Sequence, residues 1–335
     1  MNEIRVIING LGGVGCRMLR SICAREDMKF VGGVDVMPEK IGKDAGEVAG
    51  IGNIGVKISS SLEELCSSVD ADVVVNLASS AEADLTFRQM LPAIRRGMNV
   101  LVANSATFDL YNGERALAEE IDAKCRQYGV SYLGMGNTQS IERIILLMSE
   151  SVEHINTLSF THWADVSEFS PVSNANQLGI SLPKAEYEVR LKSGQAPALV
   201  KWREDLVWAL AKRIGWKLTR VDYDRALKTD DNGVIYANTS RLRGYEEDSL
   251  RIAMDWVFLL DKEHNYYEHI KIDGEPAVDA KINFTPDRGK TATSNILVNA
   301  LPFVVQAKPG YISTFDAPIC SRCVPEESAG RQRNE

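Results

Sequence analysis

The chain has 335 residues, of which 44% are hydrophobic and 25% charged, and its formal net charge is −8 at pH 7. A chain of this length exceeds one simple hydrophobic core, so two domains are expected. The acidic balance argues against a nucleic-acid partner, which needs a basic face. No apolar run approaches the ~20 residues of a membrane-spanning helix. We therefore expect neither a nucleic-acid nor a membrane partner, and a small molecule as the ligand.

The cysteines and the chain start favour a reducing compartment. Six cysteines lack the spacing of a disulfide framework, and the first residues run directly into an apolar strand instead of a leader peptide. We expect the protein to be cytoplasmic. Cys320 and Cys323 form a C-x-x-C pair, but a structural zinc site needs four ligands and no second pair follows. No metal is expected.

Residues 1–136 alternate short apolar runs with helical patterns, which is typical of a parallel sheet with crossover helices. The apolar runs show no polar alternation, so both faces of the sheet should be covered. This order of elements predicts an α/β fold with an N-terminal Rossmann domain, a doubly wound parallel sheet. The predicted strands are Arg5–Ile8, Phe30–Val34, Val73–Leu77, Asn99–Val102 and Ser131–Leu133. The predicted helices are Val14–Cys23, Ser61–Cys66, Ala83–Arg96 and Glu114–Tyr128.

Residues 137–290 follow a different rhythm, with several strand-like runs in succession, which predicts an inserted α+β domain on a mostly antiparallel sheet. The pair Asp273-Gly274 predicts a hairpin turn between the last two strands. The predicted strands are Ile155–His162, Lys217–Asp222, Leu250–Leu260, Tyr266–Ile272 and Val278–Phe284, and the predicted helices are Lys184–Lys192 and Leu199–Ile214.

The C-terminal part of the chain is expected to return to the first domain. An apolar helix from Ala292 to Val305, interrupted at Pro302, has the composition of a segment that packs on another element. Residues 291–320 therefore belong with the Rossmann domain, and the polar residues 321–335 form a tail that is expected to fray.

A glycine pattern of the form G-x-G-x-x-G follows the first predicted strand and opens the first helix. Gly10 permits a tight turn, Gly12 lets the backbone approach a pyrophosphate, and Gly15 lets the helix pack closely on the strand. The phosphates would lie at the N-terminus of the helix, where unpaired N–H groups and the helix dipole favour an anion. The residues expected to contact a dinucleotide here are Gly10, Leu11, Gly12, Gly13, Val14 and Gly15.

Asp35 lies twenty positions after Gly15, at the end of the second predicted strand. An acid at this place accepts hydrogen bonds from the adenosine ribose and repels a 2′-phosphate, so NAD(H) is favoured. Lys40 leaves NADP(H) possible. Met37 should border the same part of the cofactor.

The turn after the third predicted strand should also border the cofactor, because it lies at the carboxyl edge of the sheet. Its candidate residues are Ala78, Ser79 and Ser80. The alternative is that the two serines only cap the helix that follows.

The sequence resembles the 2,4-diaminopentanoate dehydrogenase family, which includes the native amine dehydrogenases and has a dihydrodipicolinate-reductase-like fold. The resemblance rests on Val6–Gly15, on residues 38–47, on Gly134-Met135-Gly136 and on residues 292–311, including Val298-Asn299-Ala300-Leu301-Pro302. It implies a homodimer and reversible reductive amination, in which ammonia and a carbonyl give an amine at the expense of NAD(P)H. It also implies that Asn299 lies near the nicotinamide; the alternative is a hydrogen bond within the C-terminal segment.

Two departures from the family pattern fall where substrate is expected. Family members carry a glutamate just after the strand corresponding to Asn99–Val102, where it handles the amine proton, whereas this chain has Asn104 and Ser105. Family members also follow the Gly-x-Gly with an Asn-Pro-Gly-Phe-like segment, which here reads Asn137-Thr138-Gln139-Ser140. We expect at least one of Asn104 and Ser105 to face substrate or nicotinamide.

Three further residues are candidates for the catalytic site: Glu142, His162 and Asp165. A carboxylate suits the cation of an iminium, whereas a hydroxyl or imidazole donor suits the charge that develops on a carbonyl oxygen. Each also has a structural alternative. Glu142 would complement the dipole of the apolar helix Ile141–Met148, His162 would be hydrogen-bonded at a strand end, and Asp165 would orient a loop.

The favoured function is an NAD(P)H-dependent oxidoreductase most similar to amine dehydrogenases, with a small amine, ketone or imine as substrate. One alternative is a carbonyl or cyclic-imine reductase that works without ammonia, because the family's glutamate is absent. A second alternative is a non-catalytic dinucleotide-binding sensor.

Overall fold

A computed structural model describes residues 3–78, 82–135, 139–167, 174–196, 201–261, 263, 265–284 and 288–321. The chain divides into two compact units. One combines Met1–Gln139 with Gly289–Glu335, and the other is the continuous segment Ser140–Arg288. The first unit is therefore built from both ends of the chain.

A seven-stranded parallel sheet, in the order β13-β6-β5-β4-β1-β2-β3, forms the centre of the first unit within the described residues. Its central strands are apolar and fully buried, as at Val73, Val74 and Val75, because helices cover both faces. The Rossmann sheet is thereby confirmed. The strands are β1 (Ile4–Asn9), β2 (Met28–Val34), β3 (Ile58–Ser59), β4 (Val73–Asn76), β5 (Asn99–Val102), β6 (Ser131–Gly134) and β13 (Gly310–Ile312). The helices are α1 (Gly13–Cys23), α2 (Ala45–Ala49), α3 (Leu62–Ser68), α4 (Ala83–Arg95), α5 (Leu110–Gly113), α6 (Arg115–Tyr128) and α10 (Arg288–Gln306).

The C-terminal helix differs from the expectation at Pro302. An interruption was predicted there, and this is wrong, because α10 continues through the proline to Gln306. Leu301 and Val304 beside it are fully buried in the core that also contains α1 residues. Their burial offsets the backbone hydrogen bond that the proline cannot donate.

The second unit contains a six-stranded sheet in the order β12-β11-β7-β10-β9-β8. Neighbouring strands are antiparallel except for the parallel pair β7 and β10, so the expected mostly antiparallel sheet is confirmed. The strands are β7 (His154–Asp165), β8 (Arg220–Thr229), β9 (Ile235–Glu246), β10 (Ser249–Leu259), β11 (Tyr266–Glu275) and β12 (Val278–Asn283). The described helices are α7 (Gln139–Ser149), α8 (Lys184–Lys192) and α9 (Lys201–Ile214).

The hairpin between β11 and β12 exists, but its turn is not at Asp273-Gly274, as had been predicted. Both residues lie inside β11, at a register shift in its pairing with β7. A side chain at Gly274 would collide with the carbonyl oxygen of His154 on β7. The glycine therefore permits close approach of two strands at a bulge and does not form the turn.

None of the helices in the described ranges is both long enough and apolar enough to cross a membrane.

Candidate active site

The glycine loop between β1 and α1 contains three glycines with different steric surroundings. Gly10 has a φ of 104°, and a Cβ there would lie 2.8 Å from the backbone nitrogen of Ala78. A Cβ at Gly15 would collide with the carbonyl oxygen of Gly10. Gly12, the N-cap of α1, would meet nothing within 4 Å. Internal packing thus explains two of the glycines and leaves the third without an intramolecular reason.

The N-terminus of α1 is open to a ligand. Gly12 provides no side-chain cap, and the first turn of the helix contains no acidic residue. Gly12 and Gly13 are exposed, Val14 is half-buried, and Leu11 is anchored in the core. The backbone N–H groups and the dipole of α1 therefore suit a phosphate group.

Asp35 joins the end of β2 to this loop. Its Oδ2 accepts hydrogen bonds from the backbone N–H of Leu11 at 3.1 Å and from Lys40 Nζ at 2.9 Å, and its Oδ1 accepts one from the N–H of Met37 at 2.9 Å. Burial alone would raise the pKa of Asp35, but these three hydrogen bonds outweigh it, so the pKa is lowered. The carboxylate is ionised at neutral pH and lies where the adenosine ribose is expected.

The segment after Asp35 is held by a second buried carboxylate, that of Asp44. It accepts hydrogen bonds from the backbone N–H groups of Gly46, Glu47, Ile54 and Val56. Burial would raise the pKa of Asp44, but the backbone hydrogen bonds outweigh it, and the pKa is lowered. Asp44 therefore fixes the loop that contains Lys40.

The carboxyl end of β4 is organised by a buried amide. Oδ1 of Asn76 accepts hydrogen bonds from Nδ2 of Asn9 at 2.9 Å and from the backbone N–H of Ala78 at 3.2 Å. Asn76 thereby holds Ala78 next to Gly10. Ser79 and Ser80, the other predicted residues of this turn, lie outside the described residues.

Asn104 and Ser105, at the end of β5, have different surroundings. Oδ1 of Asn104 caps the 3₁₀ turn Ser105–Thr107 through the N–H of Ala106 at 2.9 Å, and its Nδ2 donates to Thr86 Oγ1 at 2.9 Å. Ser105 is half-buried, and its hydroxyl makes no hydrogen bond within the described residues. Of the two, Ser105 is the residue whose side chain is not committed to local structure.

Asn299 lies away from the glycine loop. Its Oδ1 accepts a hydrogen bond from Arg25 Nη1 at 3.3 Å, and Arg25 follows the C-terminal end of α1. A helix of 11 residues such as α1 separates its two ends by about 16 Å. The predicted contact between Asn299 and the nicotinamide is therefore not supported, because this residue packs near the opposite end of α1 from the phosphate-binding loop.

His162, in the second unit, is paired with a carboxylate that the sequence had not indicated. Its Nδ1 lies 2.9 Å from Oε1 of Glu268 on the facing strand β11. Both side chains are buried, and the rings of Phe258 and Tyr266 flank the imidazole, each with its centroid 5.4 Å away. The carboxylate orients the imidazole within an apolar setting.

Asp165 serves as a loop anchor. Its carboxylate accepts hydrogen bonds from the backbone N–H groups of Ser167 and Asp261, both at 3.1 Å, and from the Ser167 hydroxyl at 2.5 Å. These contacts match its structural alternative. The backbone of Glu142 lies in α7, but its side chain is outside the described part of the structure.

Comparison with known proteins gives matches over the whole chain and over its first part. The family model for the N-terminus of dihydrodipicolinate reductase matches residues 4–104. The 2,4-diaminopentanoate dehydrogenase of Acetoanaerobium sticklandii is 24% identical, over 95% of this chain and 94% of its own. An amine dehydrogenase of Streptomyces virginiae is 23% identical, over 94% of this chain and 96% of its own.

A solved structure shares the fold over nearly the full length. The amine dehydrogenase from Mycobacterium smegmatis superposes with a TM-score of 0.81 at 18% identity, and the match covers 96% of this chain and 98% of that one. The resemblance expected from the sequence is therefore confirmed. Over its whole length the chain is similar to the group that contains 2,4-diaminopentanoate dehydrogenase and the amine dehydrogenases.

Proposed function

We propose that the chain is an NAD(P)-dependent dehydrogenase whose dinucleotide lies on the glycine loop. The observation that carries this proposal is Gly12, which caps α1 and has no neighbour within 4 Å that would exclude a side chain. A bound pyrophosphate supplies the missing reason, because it needs close approach to the backbone. Asp35 would accept hydrogen bonds from the adenosine ribose, which supports binding of NAD(H).

We propose a small amine, and the matching ketone or imine, as the substrate pair. Full-length similarity to two dehydrogenases named for amine substrates supports this class. Residues 137–290 would carry the substrate-binding domain.

The bound nicotinamide would accept or supply the hydride, and the protein would manage charge and protons. Ser105 is our first candidate for contact with the substrate, because its half-buried hydroxyl has no described partner. A hydroxyl stabilises a cationic nitrogen less than a carboxylate does, so the proton would go to another group. His162 fits this task better than Asp165, since Glu268 orients its ring while Asp165 is bonded to its own loop. Glu142 remains a candidate.

Oxidation of NADH and NADPH with a panel of small ketones tests the function. Each ketone is assayed with ammonium chloride and with sodium chloride at equal ionic strength. We expect oxidation that requires ammonia. Oxidation that is independent of ammonia would instead support a carbonyl reductase. Binding of the dinucleotide without turnover on any ketone, amine or cyclic imine would support a sensor.

We propose a cytoplasmic homodimer. The outer face of the second sheet is half-buried and carries the stacked rings of Trp163 and Tyr267, whose centroids are 5.7 Å apart. Aromatic residues are common at interfaces. Unpaired thiols such as Cys66 and Cys125 fit a reducing compartment. Light scattering of the purified protein would give the mass of the assembly, and a monomeric mass would contradict the dimer.

A further inference from the structure

The ammonium group of Lys40 lies between the glycine loop and the acid at the end of β2. Its Nζ is 2.9 Å from Asp35 Oδ2 and 3.0 Å from the carbonyl oxygen of Leu11. Asp35 is only 7% exposed, and the Lys40 side chain is partly buried at 23%. The contact therefore places a positive charge inside the site expected for the adenosine ribose.

This contact changes the electrostatic argument for cofactor choice. A lone carboxylate at the end of β2 would repel the 2′-phosphate of NADP(H). Here the carboxylate and the ammonium together have no net charge. An ammonium group has three N–H donors, of which two are used in the contacts with Asp35 and Leu11. The third can donate to a ligand.

The loop geometry keeps Lys40 in this position. The backbone N–H of Lys40 donates to the carbonyl oxygen of Met37 at 3.0 Å, and its own carbonyl accepts from Lys43 at 3.1 Å. Asp44 then anchors the rest of the loop through four backbone N–H groups. The ammonium is thus preorganised, which lowers the entropic cost of its contact with a phosphate.

We propose that Lys40 determines the cofactor choice: it lets the site bind NADP(H) as well as NAD(H), by neutralising Asp35 and donating to the 2′-phosphate. The proposal deepens the proposed function and rests on its dinucleotide site. In this role Lys40 is a specificity-determining residue and takes no part in hydride transfer.

Calorimetric titration of the full-length protein with NADH and with NADPH tests the proposal. We expect Lys40→Met, which keeps the aliphatic stem, to weaken NADPH binding by at least about 10-fold, as for loss of one charge-assisted hydrogen bond. NADH binding should change by less than about 3-fold. The matched control is Lys43→Met, which removes the same charge from an exposed residue of the same loop and should leave both affinities unchanged.

Two further variants separate charge from structure. Lys40→Arg should retain NADPH binding, and Asp35→Asn added to Lys40→Met should recover part of it, because the repulsive carboxylate is gone. Thermal unfolding of each apo variant shows whether the fold persists. Equal loss of both nucleotides in Lys40→Met, or an unchanged ratio, would overturn the role of Lys40. Failure of the wild-type protein to bind either nucleotide would instead defeat the dinucleotide site.

Discussion

The imidazole of His162 and the carboxylate of Glu268 are 106 residues apart in the chain and 2.9 Å apart in space. They face each other across β7 and β11, with both side chains buried. An ionised carboxylate can only accept a hydrogen bond, so this pair places the proton of a neutral imidazole on Nδ1. Nε2 is then left as an acceptor, which is the arrangement that a proton-accepting histidine needs.

Replacing Glu268 by alanine should lower the free energy of unfolding by about 1–3 kcal/mol, because it leaves a buried imidazole nitrogen without its partner. Urea unfolding measures the loss. The matched control is Asp279→Ala, which removes the partner of His269 in a more exposed pair on the neighbouring strands. Surface pairs of this kind contribute at most about 1 kcal/mol, so equal losses would contradict a special role for the buried pair.

Gly12→Ala and Gly15→Ala should have opposite effects on stability and binding. Gly12→Ala has room for its methyl group and should cost no more than about 1 kcal/mol, the difference between glycine and alanine as an N-cap. It should nevertheless weaken dinucleotide binding by at least about 10-fold, because the methyl group blocks the pyrophosphate. Gly15→Ala should destabilise the apo protein, since its Cβ would collide with Gly10. Thermal unfolding and calorimetry measure both effects. Unimpaired binding by Gly12→Ala would argue against the phosphate site.

Ser105→Ala should leave stability nearly unchanged, because the serine hydroxyl makes no hydrogen bond in the described part of the chain. We expect kcat to fall by roughly 10- to 100-fold if the hydroxyl touches the reacting group. Asn104→Ala is the control for structure. It removes the cap of the 3₁₀ turn and should cost about 1 kcal/mol. A full kcat in Ser105→Ala would exclude this hydroxyl from the reaction.

Asp44→Asn should lower the urea midpoint at neutral pH, because an amide cannot accept hydrogen bonds at both terminal atoms. The effect should depend on pH in a defined direction. The pKa of Asp44 is lowered in the folded state, so its contribution is present above the unfolded pKa and is lost as the pH falls through the folded pKa. The difference between wild type and variant should therefore shrink in acid. A difference that does not change from pH 7 to pH 3 would contradict this account.

The sequence predicts the dinucleotide loop well because its signals are local. The buried run of β1, the glycines and the acid at the end of β2 all lie within the first 35 residues, and each has one physical reason. Lys40 was noticed as a positive charge, but its contact with Leu11 depends on the fold of the next twenty residues around Asp44.

The second unit was harder to predict because its contacts join distant segments. Strand β9 was missed, since Asn238, Thr239 and Ser240 form a polar run that gives no strand-like alternation. These residues are nevertheless buried, and Nδ2 of Asn238 donates to the carbonyl oxygen of Leu178 at 2.8 Å. Glu268 likewise gave no signal, because only the register of β11 against β7 brings it to His162.

Strand β13 has a consequence for how the protein is made. Gly310–Ile312 pairs with β6 at the edge of the Rossmann sheet, and Tyr311 donates its hydroxyl hydrogen to the carbonyl oxygen of Thr107 at 2.7 Å. The ribosome synthesises this strand after the entire Ser140–Arg288 unit. During translation the edge of β6 stays unsatisfied, while the later-encoded unit already has all its residues. The nucleotide-binding half is therefore the last to be completed, although its synthesis begins first.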